Sequence, residues 1–271
     1  MIMETLGDIM KEFLGIGGYQ REPEGAYSWQ HLLFVGTALA IMVFLAIWLG
    51  TTYKKKDFKS KNRVLIWSAI LIDAFEIFKI VVMTIRSDDP STAWHNLLPL
   101  YLCSIQLITI PLAAFARGRV KNAALDFVLI FGILGGVLGT VGAAQNYGCY
   151  PVLSIDNVVS AITHCISGFA SLYIAISGMA SMRKRNTPIT FAILFVFCIA
   201  ATIANKYLDT NYMFLVSDDG TPYSLLTALV GGNQTLYSIG VVFFFVLYIT
   251  LFYVIYRLCT RKSRKKAEAT A

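Results

Sequence analysis

From residue 28 onward the chain alternates between long apolar runs and short polar connections. Seven runs approach the ~20 residues a helix needs to cross a bilayer: about 28–52, 63–85, 97–116, 121–142, 157–180, 188–208 and 237–259. They lack the two-residue alternation of membrane-barrel strands. The pattern predicts an all-α membrane protein with seven transmembrane helices. Ahead of them, "MIMETLGDIMKEFLGIGG" sets Ile2, Leu6, Ile9, Met10 and Phe13 at helical spacing, with Glu4, Asp8, Lys11 and Glu12 between them. This spacing predicts a short amphipathic helix lying at the membrane interface, with a disordered tail as the alternative. The basic start and continuous apolar core of a signal peptide are missing. The organisation is then an interfacial segment over 1–27, a seven-helix domain over 28–259 and a basic tail over 260–271.

Composition strengthens the membrane reading. Hydrophobic residues make up 56% and charged residues only 14%, against about 25% charged in soluble domains. The net charge of +7 does not point to nucleic acid, because the cations fall in separated clusters. One cluster is Lys54, Lys55, Lys56, Lys59, Lys61 and Arg63. Others are Arg117, Arg119 and Lys121, then Arg183, Lys184 and Arg185, then the tail from Arg257 to Lys266. They occupy alternate loops, which by the positive-inside rule puts the N-terminus outside and the C-terminus in the cytoplasm. The tail reads as an anchor for anionic headgroups. The connection over 209–236 is too apolar for a solvated loop and predicts a re-entrant or interfacial segment. The five cysteines show no regular spacing, so no disulfide is expected.

Ionisable groups at membrane depth need a reason, since each costs from about 2.5 kcal/mol upward. Asp73, Glu76 and Lys79 lie at i, i+3 and i+6 on one side of the second span, where Glu76 and Lys79 can pair. They form either a polar staple or a charged cavity wall. Asp126, five residues into span four, reads as structural, snorkelling or pairing with a nearby cation. Span four also holds two GxxxG pairs, Gly132 with Gly136 and Gly135 with Gly139, which permit close helix contact. His164 has Ser160 and Gly168 four residues to either side, so a neighbouring helix can approach its ring.

Depth then gathers candidate chemistry. Cys103 lies six residues into span three from Leu97, about 9 Å at 1.5 Å per residue. His164 lies seven residues into span five, about 10–11 Å. Glu76 and Asp73 are in the same outer half, and His31 is near the outer end of span one. Pro99 suits the first turn of a helix, which would put Cys103 near a helix N-terminus, where the dipole favours a thiolate. A cysteine with a histidine base is a nucleophilic pair; a buried cysteine filling space is the alternative. His31 and His164 lack metal-site spacing, and no cofactor or metal is expected.

The stretches "LLPLYLCSIQL", "FGILGGVLG" and "NKYLDTNYMFL", with a histidine in the fifth span, resemble the YwaF-type integral membrane proteins. Those look related to the animal transmembrane cysteine acyltransferase that remodels ether phospholipids. The resemblance runs from "SWQHLLF" to the final span. It implies that Cys103 is the acyl-accepting nucleophile and His164 its general base, with membrane phospholipids and lysolipids as partners. It maps the "NY-x-FL" motif to Asn211, Tyr212, Phe214 and Leu215. Family members often read "LPLHLC", and here Tyr101 replaces that histidine. Ser104, Gln106 and Asn211 are candidate donors to an oxyanion. In a bacterium the location would be the plasma membrane. Two other classes compete. A small-solute or ion-coupled transporter would use Asp73, Glu76 and Lys79. A retinal-type receptor would need a buried lysine, and the seventh span has none before Arg257.

Overall fold

The computed structural model describes the backbone over 2–180 and 182–269, and side chains over 6–180 and 182–260. The tail cations Arg261, Lys262, Arg264, Lys265 and Lys266, and the side chains of Ile2 and Glu4, lie outside the described side chains. Among the described residues all regular structure is helical. The α-helices are α1 Ile2–Leu14, α2 Trp29–Tyr53, α3 Phe58–Arg86, α4 Gln106–Phe115, α5 Gly118–Leu138, α6 Ala144–Cys149, α7 Ile155–Ser177, α8 Thr187–Leu208, α9 Ser224–Leu229 and α10 Gln234–Ala269. Side-chain caps set several starts, each satisfying a backbone N–H that has no partner within its helix. Ser28 accepts from the His31 N–H at 3.3 Å, Asp57 from Ser60 at 3.0 Å and Ser154 from Asn157 at 3.3 Å. Gly178, at φ 74°, ends α7 in the left-handed conformation a glycine adopts without strain.

The centre is the contact between α5 and α7. A Cβ at Gly132 would lie 2.6 Å from the Ser167 carbonyl oxygen, and one at Gly136 would lie 2.9 Å from Gly168 Cα. Backbones can approach this closely only without side chains, which is the use of small residues between membrane helices. The Ser171 hydroxyl donates to the Leu129 carbonyl at 2.7 Å across the same seam. On the other side of α7, Gly168 touches Met42 and Gly50 touches Ile176, seating α2. α3 runs antiparallel to α7. Tyr173 donates to the Lys61 carbonyl at one end, and Arg86 pairs with Asp156 at the other. α4 joins α3 where Asn62 donates to the Ala114 carbonyl at 2.9 Å. Asp126 is fully buried and accepts from the Met182 N–H, the Asn186 amide and the Tyr253 hydroxyl. Its role is structural, tying α5 to the approach to α8 and to α10.

Five helical stretches are long and apolar enough to cross a membrane: Trp29–Tyr53, Gly118–Leu138, Ile155–Ser177, Lys184–Leu208 and Gln234–Thr260. α3 has ample length at 29 residues, but Asp73, Glu76 and Lys79 break its apolar run. The expected third span differs most. Over 97–116 only Gln106–Phe115 is α-helical, and 97–105 follows turns. Pro99 does not open the helix, because the N–H bonds around it close turns (Leu97 to Trp94, Leu100 to Leu98) rather than a helical ladder. Hydropathy alone does not separate a helix from irregular backbone that is buried in protein. The 209–236 connection holds the short turn Tyr212–Phe214 and α9, with Leu225 and Leu229 strongly exposed.

Candidate active site

Cys103 lies in the turn that leads into α4. The Ile105 N–H donates to the Tyr101 carbonyl at 3.0 Å, and Ile105 caps the helix. The expectation of a thiol inside the first helical turn is therefore corrected: Cys103 stands two residues ahead of the cap of a helix that starts later. Its neighbour Ser104 brings a hydroxyl to 4.0 Å from the sulfur. The backbone of Cys103 rests on α5 at Gly135, where a Cβ would lie an ordinary 3.8 Å from Cys103 Cα and Cβ.

His164 comes from the middle of α7 and rests on the same helix one turn later. Its ring lies against Gly139, so closely that a Cβ there would overlap Cγ, Nδ1 and Cε1. Gly135 and Gly139 are about 6 Å apart along the helix axis. One glycine stripe thus seats both the thiol segment and the imidazole. Neither ring nitrogen of His164 has a hydrogen-bond partner among the described residues.

The two residues line one small cavity with Ser104, Glu76, Lys79 and Ser160, closed by Ile72, Leu107 and Thr163. The Lys79 ammonium lies 2.8 Å from a Glu76 carboxylate oxygen. The cavity has about 40 Å³ of free space. A water needs roughly 10–15 Å³ by this measure, so a few waters or a single ester group fit, and a whole lipid does not. Among the described residues no three metal-ligating side chains gather.

A family model described as the TMEM164 family matches residues 26–256. The chain belongs to the TMEM164 family. No curated protein and no solved structure matches it. The matched range holds every residue of the cavity and leaves α1 outside.

Other sequence-predicted residues of this TMEM164-family chain lie apart from the cavity. His31 is fully buried elsewhere. Its Nδ1 accepts the Tyr27 N–H at 2.9 Å, which fixes the Nε2–H tautomer, and Nε2 then donates to the Thr140 carbonyl at 3.4 Å. It also stacks on Tyr147, with ring centres 3.7 Å apart. It does not line the cavity, and both its nitrogens are engaged. Asn211 does not line the cavity either. Its amide donates to Ser217 and Asp219 and its carbonyl accepts from the Val216 and Ser217 N–H groups. Tyr212 clamps the segment before Cys103, donating to the His95 carbonyl at 2.5 Å and accepting from the Leu98 N–H at 3.0 Å. Tyr101 packs on Tyr212 and Phe214 and does not line the cavity. Asp73 is half-buried on α3, outside the lining. Gln106 is fully buried; its carbonyl accepts the Thr109 hydroxyl at 2.9 Å, and its amide nitrogen has no partner.

Sequence reasoning missed Ile72, Leu107 and Thr163 as walls. It noted Gly139 and Ser160 only as small residues that allow close approach. Their spacing carried the signal: Ser160 is one turn from His164, and Gly139 one turn from Gly135.

Proposed function

We propose that this protein is an intramembrane acyltransferase acting on phospholipid acyl chains through a Cys103 thioester, with His164 as the base. One observation carries the reading. Two segments distant in sequence bring a thiol and an imidazole with no hydrogen-bond partner onto consecutive turns of one glycine stripe, into one cavity. His31, by contrast, has both nitrogens engaged, so the cavity takes the histidine still able to move a proton.

In the first half-reaction His164 takes the Cys103 proton and the sulfur attacks an ester carbonyl carbon of the donor lipid. The tetrahedral adduct collapses, the C–O bond breaks, and the imidazolium protonates the leaving lysolipid oxygen. In the second half-reaction His164 deprotonates a lysolipid hydroxyl, which attacks the thioester. The C–S bond breaks and the sulfur regains its proton. Oxyanion charge falls beside the Ser104 hydroxyl at the head of α4. Because the cavity has room for water, hydrolysis is the side reaction when acceptor lipid is scarce.

The topology belongs to the same proposal. Seven crossings, with the N-terminus outside and the C-terminus in the cytoplasm, are supported by the five apolar helices, the length of α3 and the distribution of cations. The 97–116 segment makes the remaining crossing as turn plus helix, its irregular half facing the cavity, where non-helical backbone is tolerated. α1 is supported as an interfacial helix by the exposure of Leu6, Ile9 and Met10. In a bacterium the membrane is the plasma membrane. The transport reading has less support, because Asp73, one of its three charged groups, lies outside the cavity.

The test is acyl exchange between labelled phosphatidylcholine and a lysophospholipid in proteoliposomes. The intact protein should form a hydroxylamine-labile acyl adduct that Cys103→Ala abolishes. Undiminished exchange by that variant would reject the mechanism.

A further inference from the structure

Glu76 and Lys79 take no part in the thiol–imidazole chemistry, yet both line its cavity. Their side chains are only 13% and 18% exposed. The pair is i,i+3 on a single helix, so it does not staple α3 to a neighbour. Its reason for standing in the cavity wall is to be sought in what enters the cavity.

The order of the lining residues supplies one. Ile72, Glu76 and Lys79 stand on successive turns of α3, about 10 Å from first to last. α7 lies antiparallel alongside, and Ser160 is one turn nearer the Arg86 end of α3 than His164. Leu107 is on α4, whose far end meets Asn62 near the start of α3. The cavity is therefore graded. Ile72 and Leu107 make an apolar end, Cys103 and His164 the middle, and Ser160, Glu76 and Lys79 a charged end. A glycerophospholipid has the same order of acyl chain, ester and phosphodiester, and since the cavity holds only the ester, chain and phosphodiester extend past its apolar and charged ends. On the acyl-transfer reading, on which this step rests, an ester held at Cys103 directs its phosphate toward Lys79.

We infer that Lys79 and Glu76 form a headgroup site for the phosphodiester of a glycerophospholipid. The Lys79 ammonium receives a phosphodiester oxygen, and Glu76 holds that ammonium in place until the lipid enters. Lysine suits this role because it is a compact charge with three donors on a flexible stem, and screening from water strengthens the contact. Arg86, the next cation along α3, is already committed to Asp156.

Binding separates this site from the chemistry. C103A protein in detergent is titrated with dioleoylphosphatidylcholine, dioleoylglycerol and glycerophosphocholine, with and without K79M/E76Q. The double change avoids leaving one buried charge unpaired. The expected result is tenfold or greater weakening for phosphatidylcholine and no change for dioleoylglycerol. Equal weakening for both lipids, or for neither, overturns the site. Glycerophosphocholine binding as tight as the full lipid also overturns it, in favour of a soluble phosphodiester. Acyl exchange by the intact protein is scored separately. Lys79-dependent binding without exchange upholds the headgroup site and sinks the acyltransferase reading. Exchange with Lys79-independent binding does the reverse.

Discussion

Gly139 has no side chain where the imidazole of His164 sits, and a Cβ built there would overlap three ring atoms. Gly139 has φ −76°, so an alanine is not excluded by its backbone conformation. The nearest obstacle is the ring. Gly139→Ala should therefore push His164 off its seat and lower acyl exchange about 100-fold, the usual cost of misplacing a catalytic group by an ångström. Gly135→Ala, whose Cβ would meet Cys103 at 3.8 Å, should stay within a few-fold of the parent. Measured exchange rates and melting temperatures check the pair. If both variants lose activity equally, the His164 seat is not the reason.

His31, fully buried, and His164, partly buried, should separate stability from activity. His31→Ala removes the acceptor of the Tyr27 N–H, one of the two donors to the Thr140 carbonyl and the stack on Tyr147, together worth roughly 1–3 kcal/mol. It should lower the melting temperature while folded protein keeps its exchange activity. His164→Asn removes a ring with no hydrogen-bond partner, so it should cost little stability and abolish exchange. Thermal scans beside exchange assays decide it; the opposite pattern would exchange the two roles.

Sequence alone brought Cys103, His164 and Glu76 to a common depth because helix rise converts residue count into distance. The structure puts all three on one cavity. The glycine spacing in α5 was equally legible, although which pair met which partner was not. Gly132 and Gly136 seat α7, while Gly135 and Gly139 seat the site. What stayed hidden depends on contacts distant in sequence. His31 looked available because its acceptor, Thr140, lies on the far side of α5 in sequence. Asn211 looked available because its loop closes on it through Ser217 and Asp219. The start of α4 at Gln106 was illegible because 97–105 is as apolar as a helix and is shaped by the Tyr212 clamp.

That clamp gives a third prediction. Tyr212→Phe removes the bonds to the His95 carbonyl and the Leu98 N–H, at about 1–3 kcal/mol for two bonds. Nothing in the cavity wall changes, so the effect on Cys103 should come through loosening of 97–105. Maleimide labelling of Cys103 should speed up several-fold, as expected when a segment opens locally. Tyr101→Phe is the control. Its hydroxyl makes no hydrogen bond among the described residues, so labelling and exchange should stay within about twofold. Tyr101→His should likewise leave the pH profile of exchange unchanged, since position 101 does not line the cavity. A shifted profile would mean that a histidine there acts as a second base.

The Arg86–Asp156 pair latches the segment after α1 to the bundle. Asp156 accepts from Arg86 and from the Tyr19 hydroxyl at 2.5 Å, and the guanidinium also donates to the Leu14 carbonyl. Burial, then the adjacent Asp156 carboxylate, push the Tyr19 phenol up to about 12. The phenol therefore remains protonated and donating throughout the range in which the protein would be handled. The Arg86 and Asp156 side chains are 14% and 4% exposed. Removing one partner leaves a buried charge uncompensated, at about 3–5 kcal/mol. Arg86→Met should therefore release residues 15–27 to protease and lower the melting temperature. Arg86→Met combined with Asp156→Asn should recover much of that loss, because no unpaired charge remains. Protease resistance in the single variant equal to the parent would show that the latch is not what holds the N-terminal segment down.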